Sequence, residues 1–156
     1  MHGGRRFNII GDSTTLVGTV RTFNRSFRKE IPQIIEQTAR NAAAIFGCSV
    51  ECDYAFLPGP VINDHPELVA TARGAVEKIM GEAALRPQPK VMGSEDFSVL
   101  MEKVPVVFGF LGLRNEEKNM TCSLHNSGFV ADEAILQDGA ALYAQFALDY
   151  LNSGLE

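Results

Sequence analysis

Apolar positions recur at helical spacing in three stretches of the chain. From Ser26 to Phe46, the residues Ile31, Ile34, Ile35, Thr38, Ala42, Ile45 and Phe46 fall on one stripe at i, i+3, i+4 and i+7. That spacing predicts a long amphipathic helix. Pro32 lies in its first turns, where a missing N–H costs little, and Gly47 is the natural stop. A second helix opens at Pro66, turns Leu68, Val69, Ala72, Val76, Ile79 and Met80 inward, and ends at Gly81. A third runs from about Glu133 to Leu151 with Asp132 as its cap. Its inward set is Ile135, Leu136, Leu142, Tyr143, Phe146, Ala147 and Tyr150. A shorter helix, about Glu95 to Lys103, packs through Phe97, Leu100, Met101 and Val104.

Other stretches carry strand signals. Phe7 to Ile10 is a short apolar element, and Gly11-Asp12-Ser13 punctuates it. Thr14 to Phe23 is rich in β-branched residues, with Gly18 permitting the close approach of another backbone. Val50 to Phe56 alternates apolar and polar residues, which predicts one wet face and turns Cys52 inward. Val104 to Leu113 is continuously apolar and too short for an ordinary helix, so it reads as a fully buried strand. Leu57-Pro58-Gly59-Pro60 cannot continue a sheet interior and marks a lobe junction. The expectation is an α/β protein of two lobes, residues 1–57 and 58–156.

Composition narrows the function classes. The chain has 156 residues, 46% hydrophobic and 21% charged, which is ordinary globular composition. A net charge of -5 argues against a nucleic-acid partner, and Arg25, Arg28 and Lys29 read as a solvated helix start because Glu30 follows. No apolar run approaches a membrane span, and Met-His-Gly-Gly-Arg-Arg lacks the apolar core of a signal peptide. Cys48, Cys52 and Cys122 are an odd set without framework spacing, which reads as reduced thiols in a cytoplasmic compartment.

Candidate chemistry gathers between Val91 and Phe129. The small-residue turn Gly93-Ser94 leads into Glu95 and Asp96 as a loop entering a helix. His125 ends a polar loop after the apolar run; one histidine does not make a metal site. Cys122 and His125 have Cys-x-x-His spacing, but no second pair accompanies them. Arg21 is either a surface charge or a carboxylate clamp, since guanidinium matches carboxylate bidentately. His65 falls in a helix-capping region and reads as incidental.

Taken in order, these motifs resemble the metallopeptidase family of hippurate hydrolases, N-acyl-amino-acid amidohydrolases, aminoacylases and carboxypeptidase G. The resemblance rests on Asn8 to Asp12, Gly18-Thr19-Val20-Arg21-Thr22-Phe23, Asn63, Gly93 to Phe97, Phe108 to Gly112, and His125 through Phe129 to Asp132-Glu133. It covers nearly the whole chain. One departure is Gly11, where the family usually has Pro; another is Asn126 after the histidine.

The resemblance implies a partial ferredoxin-like dimerisation lobe, followed by the C-terminal part of an α/β zinc-peptidase-like catalytic domain. It implies two divalent metals, zinc or manganese, with His125 ligating one. It implies that Asn8 and Arg21 bind substrate and that Gly93 and Ser94 line its pocket. The family's His-x-Cys-Gly-His-Asp segment, its Glu-Glu pair and a further His ligand have no counterpart in this sequence. The expectation is therefore a portion of an amidohydrolase of N-acyl amino acids, with no stable dinuclear metal and no catalysis by this chain alone. Its expected partners are a second copy of itself and a separate N-terminal half. The alternatives are a non-catalytic dimerisation or carboxylate-binding module, or an interrupted reading frame. In a ferredoxin-like sheet lacking its first strand, Thr14 to Phe23 and Val50 to Phe56 either close into a parallel pair through the Ser26–Phe46 crossover, which is the favoured expectation, or receive a strand donated by another chain.

Overall fold

A computed structural model describes residues 1–154. The chain divides into two compact units, Met1–Pro60 and Val61–Glu156.

In the first unit, β1 (His2–Gly3) pairs antiparallel with β2 (Thr14–Thr15), His2 opposite Thr15 and Gly3 opposite Thr14. The connecting loop closes on itself at two glycines. Gly4 has φ of +71°, and a Cβ on Gly11 would lie 2.8 Å from the Gly4 backbone. Gly11, which stands where the resembled family usually has Pro, therefore sits in a tight turn that admits no side chain. Beyond Thr15 the expected strand does not continue: residues 16–22 carry no ladder. Residues 50–56 run without one as well. Among the described residues no ladder joins the two stretches, so the expected parallel closure is not formed and β2 takes β1 as its partner. A strand signal reports a conformation, while a ladder needs a neighbour at hydrogen-bonding distance. Within residues 50–56 the rings of Tyr54 and Phe56, two residues apart, meet edge-on with centroids 5.2 Å apart.

Helix α1 spans Arg25–Ala44. Asn24 caps it, its Oδ1 accepting from Phe27 N at 2.9 Å and from Ser26 Oγ at 2.7 Å. Gly47 ends it at φ of +69°, and Cys48 N donates back to Ala43 O at 3.0 Å. Because the helix starts at Arg25, Pro32 is inside it rather than in its first turn, and it removes one interior hydrogen bond. Of the predicted stripe only Ile31 is buried; Ile34, Ile35, Ile45 and Phe46 stay exposed, the last at 80%. Arg28 is not the solvated charge its neighbours suggested. Its guanidinium lies 5.4 Å from the Phe56 ring centroid and donates to the Leu57 carbonyl, tying α1 to residues 50–57. Cys52, expected to face inward, is exposed, as are Cys48 and Cys122.

The second unit is built on two helices. α2 spans Pro66–Met80 and stops at Gly81, whose φ is +84°. A single turn, α3, spans Ser98–Met101 and is shorter than the sequence predicts. α4 spans Leu136–Ser153 and follows a 3-10 turn over Glu133–Ile135. Asp132 caps that turn as expected, accepting from Ala134 N at 3.2 Å. α2 and α4 pack together, burying Leu68 and Ala75 of α2. Lys78 Nζ on α2 meets Asp149 Oδ1 on α4 at 2.5 Å. Leu136 and Tyr143, predicted inward, are exposed, Tyr143 at 83%. Residues 104–113 were expected as a fully buried strand. Among the described residues they form no ladder; Val104 closes the preceding turn by donating to Leu100 O at 3.0 Å, Val106 to Phe108 are half-buried, and Phe110 is exposed.

Candidate functional site

The residues singled out for substrate and metal fall in both units. Asn8 lies in the loop between β1 and β2, and Arg21 in the extended stretch before α1; both are exposed. Gly93 and Ser94 precede α3 and are exposed too. A Cβ on Gly93 would meet nothing within 4 Å, so this glycine borders open space. The turn that follows is held by Ser98 N donating to Glu95 O at 2.9 Å and Val99 N to Asp96 O at 3.0 Å.

His125 sits on a compact loop. Asn126 N donates to Ser123 O at 3.2 Å, Phe129 N to Asn126 O at 3.0 Å, and Gly128 N to Asn126 Oδ1 at 2.8 Å. His125 itself has φ of +66°, the left-handed region that few side chains other than Asn, Asp and His adopt. The imidazole is exposed. Among the described residues no group of three or more His, Cys, Asp or Glu is placed to hold a metal ion. His125 is thus one donor, and the described residues alone do not fit a zinc or manganese ion. Cys122 Sγ packs near Gly128. Leu113, Arg114, Met120, Cys122, Leu124 and Phe129 border a shallow, mostly apolar groove beside this loop.

Two polar clusters that local sequence patterns did not assign hold these segments in place. Asp132 is more than a cap. Asn115 Nδ2 donates to its Oδ2 at 2.6 Å and Lys118 Nζ to its Oδ1 at 2.8 Å. Those donors, with Ala134 N, hold its carboxyl down to about 2, the Lys118 hydrogen bond being the largest cause. Asn115 also forms an antiparallel bridge with Met120. Asn63 pairs through its side-chain amide with the backbone of Phe108. Its place in the motif series was its only sequence signal. Ser98 is a third surprise: it is 3% exposed, and its Oγ has no hydrogen-bond partner among the described residues.

Residues 5–149 match the description of peptidase family M20/M25/M40. The chain belongs to that family. Among its relatives, Thermostable carboxypeptidase 2 of Saccharolobus solfataricus is 29% identical over 152 residues, covering 97% of this chain and 38% of the relative. IAA-amino acid hydrolase ILR1-like 4 of Arabidopsis thaliana is 32% identical over 156 residues, covering 96% and 34%. YhaA of Bacillus subtilis, which carries an amidohydrolase name, is 32% identical over 152 residues, covering 92% and 36%. The M20 chain described here thus spans between 34% and 38% of the length of these relatives. No solved structure matches it. No helix among its described residues is long and apolar enough to cross a membrane.

Proposed function

We propose that this chain is a portion of a metal-dependent M20 amidohydrolase that cleaves the amide bond of N-acyl amino acids of the hippurate type. The observation that carries the reading is the family match over residues 5–149. Names of relatives as carboxypeptidase, amino acid hydrolase and amidohydrolase support it. In this reading Asn8 and Arg21 hold the substrate carboxylate, because a guanidinium and a carboxamide together present several donors to two acceptor oxygens. Gly93 and Ser94 line the pocket, and His125 offers its imidazole to a zinc or manganese ion. When bound, that metal supplies Lewis-acid activation of the hydrolytic step. The described residues hold neither the remaining ligands nor an assigned general base, so the chain works together with residues beyond those described and is inactive alone. The compartment is cytoplasmic, in keeping with three free, exposed thiols.

The test is complementation. The chain is mixed with a separately produced N-terminal portion of an M20 relative, zinc or manganese, and hippurate. Hydrolysis that needs both polypeptides supports the reading. A stable complex without turnover on any N-acyl amino acid overturns it, and favours a non-catalytic dimerisation or carboxylate-binding module. The exposed apolar side chains of the first unit, Phe7, Leu16, Val17, Ile45 and Phe46 among them, support that second reading.

A further inference from the structure

The Gly93-Ser94 segment leads directly into the turn that opens α3, where Ser98 N donates to Glu95 O at 2.9 Å. What anchors it is Phe97, four residues on, whose ring lies 5.3 Å from that of Phe108. Phe97 also starts the α3 turn, its carbonyl accepting from Leu100 N at 3.0 Å and Met101 N at 3.3 Å. Met101 and Ser98 are the buried side of that turn, at 6% and 3% exposure. Phe108 is therefore the ring against which the start of α3, four residues after Gly93, packs. Phe108 belongs to a stretch that forms no ladder among the described residues, so its backbone polar groups are held by other means.

Asn63 provides it. Phe108 N donates to Asn63 Oδ1 at 2.8 Å, and Asn63 Nδ2 donates to Phe108 O at 2.8 Å. A carboxamide has the same donor and acceptor arrangement as a peptide group, so this pair reproduces one rung of an antiparallel ladder with a single side chain. No other standard side chain of this length does both at once. Asp accepts but does not donate when ionised, Leu does neither, and Gln is one methylene too long.

We infer that Asn63 is the positioning residue of the candidate pocket, setting the Gly93-Ser94 turn through Phe108 and Phe97. It touches neither substrate nor metal in this account. The functional part of the inference rests on reading Gly93 and Ser94 as pocket wall; the placement part does not.

Amide hydrogen exchange on the full chain tests the placement. Asn63→Leu is expected to lower the protection of the Phe108 amide about tenfold, the usual scale for losing one hydrogen bond. It is also expected to speed exchange across residues 93–97 while leaving Leu68 and Ala75 of α2 unchanged. Asn63→Asp shows the same loss at neutral pH. Its protection returns as pH falls toward about 4, where a protonated acid again donates to the Phe108 carbonyl while accepting its N–H. Asp64, His65 and Glu67, the two acids within ion-pair distance of the histidine, lie beside the position and are present in both proteins, so the unsubstituted chain at each pH is the control. If Asn63→Leu does not fold, Asn63→Asp at the two pH values carries the test alone. Unchanged Phe108 protection in Asn63→Leu, or no pH response in Asn63→Asp beyond the control, overturns the inference. In the complemented enzyme, Asn63→Asp is expected to raise KM for an N-acyl amino acid at neutral pH. Altered exchange with unaltered KM keeps the placement and overturns the pocket-wall reading.

Discussion

Lys118 Nζ lies 2.8 Å from Asp132 Oδ1, and the pair closes the stretch of chain that carries His125. Asn115 adds a second donor to the same carboxylate at 2.6 Å. The loop that presents the imidazole is thus pinned at its base by charge-assisted hydrogen bonds.

This pinning has a pH signature. The Asp132 carboxyl sits at about 2, below its ordinary value, and Asp149 is also lowered, chiefly by the Lys78 hydrogen bond. A carboxyl depressed in the folded state contributes stability that is present above its unfolded value and lost as pH falls through the folded one. The expected outcome is a thermal midpoint that declines from about pH 4 toward about pH 2. Asp132→Asn is expected to flatten the lower part of that decline. Calorimetry between these pH values checks it; an identical profile for the variant would contradict the assignment.

Ser98 predicts a gain. A buried hydroxyl without a partner costs ~1–3 kcal/mol, and Ser98 is 3% exposed with its Oγ unpartnered among the described residues. Ser98→Ala is expected to raise stability by about 1 kcal/mol in denaturant titration. A loss of that size would mean that the hydroxyl has a partner in solution.

Arg28 predicts a difference between two cations. Its planar group lies over Phe56 while donating to the Leu57 carbonyl, a double role that a lysine ammonium does not reproduce. Arg28→Lys and Arg28→Ala are both expected to destabilise the first unit, by about 0.5–1 kcal/mol for the lost cation–π contact. Equal stability of the lysine variant and the parent would count against the stacking.

The helices were legible because their signal is local. Period, cap and stop residues lie within a few positions of one another, and α1, α2 and α4 begin and end near Asn24, Gly47, Pro66, Gly81 and Asp132. The strand signals marked segments of chain but not their pairing. The aromatic spacing of Tyr54 with Phe56 and of Phe108 with Phe110 keeps the two-residue period, at 5.2 Å in each case, but pairing is a property of neighbours. Inward faces were misjudged for the same reason: Ile45, Phe46, Leu136 and Tyr143 have the right spacing and no covering surface among the described residues. In the site, Asn8, Arg21, Gly93, Ser94 and His125 came from motif order. The Asn63–Phe108 pairing spans 45 residues of sequence, which no local window contains.

Exposure also predicts association. The surface is 12779 Å², whereas two separate compact bodies dividing this mass at Pro60 expose about 9,000 Å² together. Among the described residues of the first unit, Ile31 is the one buried large apolar side chain. Burial is worth ~25 cal/mol per Å², so covering this surface favours a second polypeptide. Sedimentation at rising concentration is expected to show species larger than one chain; a single monomeric species throughout would contradict the expectation.

Complementation followed by kinetics decides whether this chain carries part of a metal-dependent M20 active site. The chain is combined with an N-terminal M20 portion and zinc or manganese, and hippurate hydrolysis is followed with the parent chain, Arg21→Ala and His125→Ala. The account predicts turnover for the parent chain only in the presence of its partner. It predicts a raised KM for Arg21→Ala and loss of turnover with reduced metal retention for His125→Ala. Turnover by the chain without its partner, or parent-like kinetics for both variants, would contradict it.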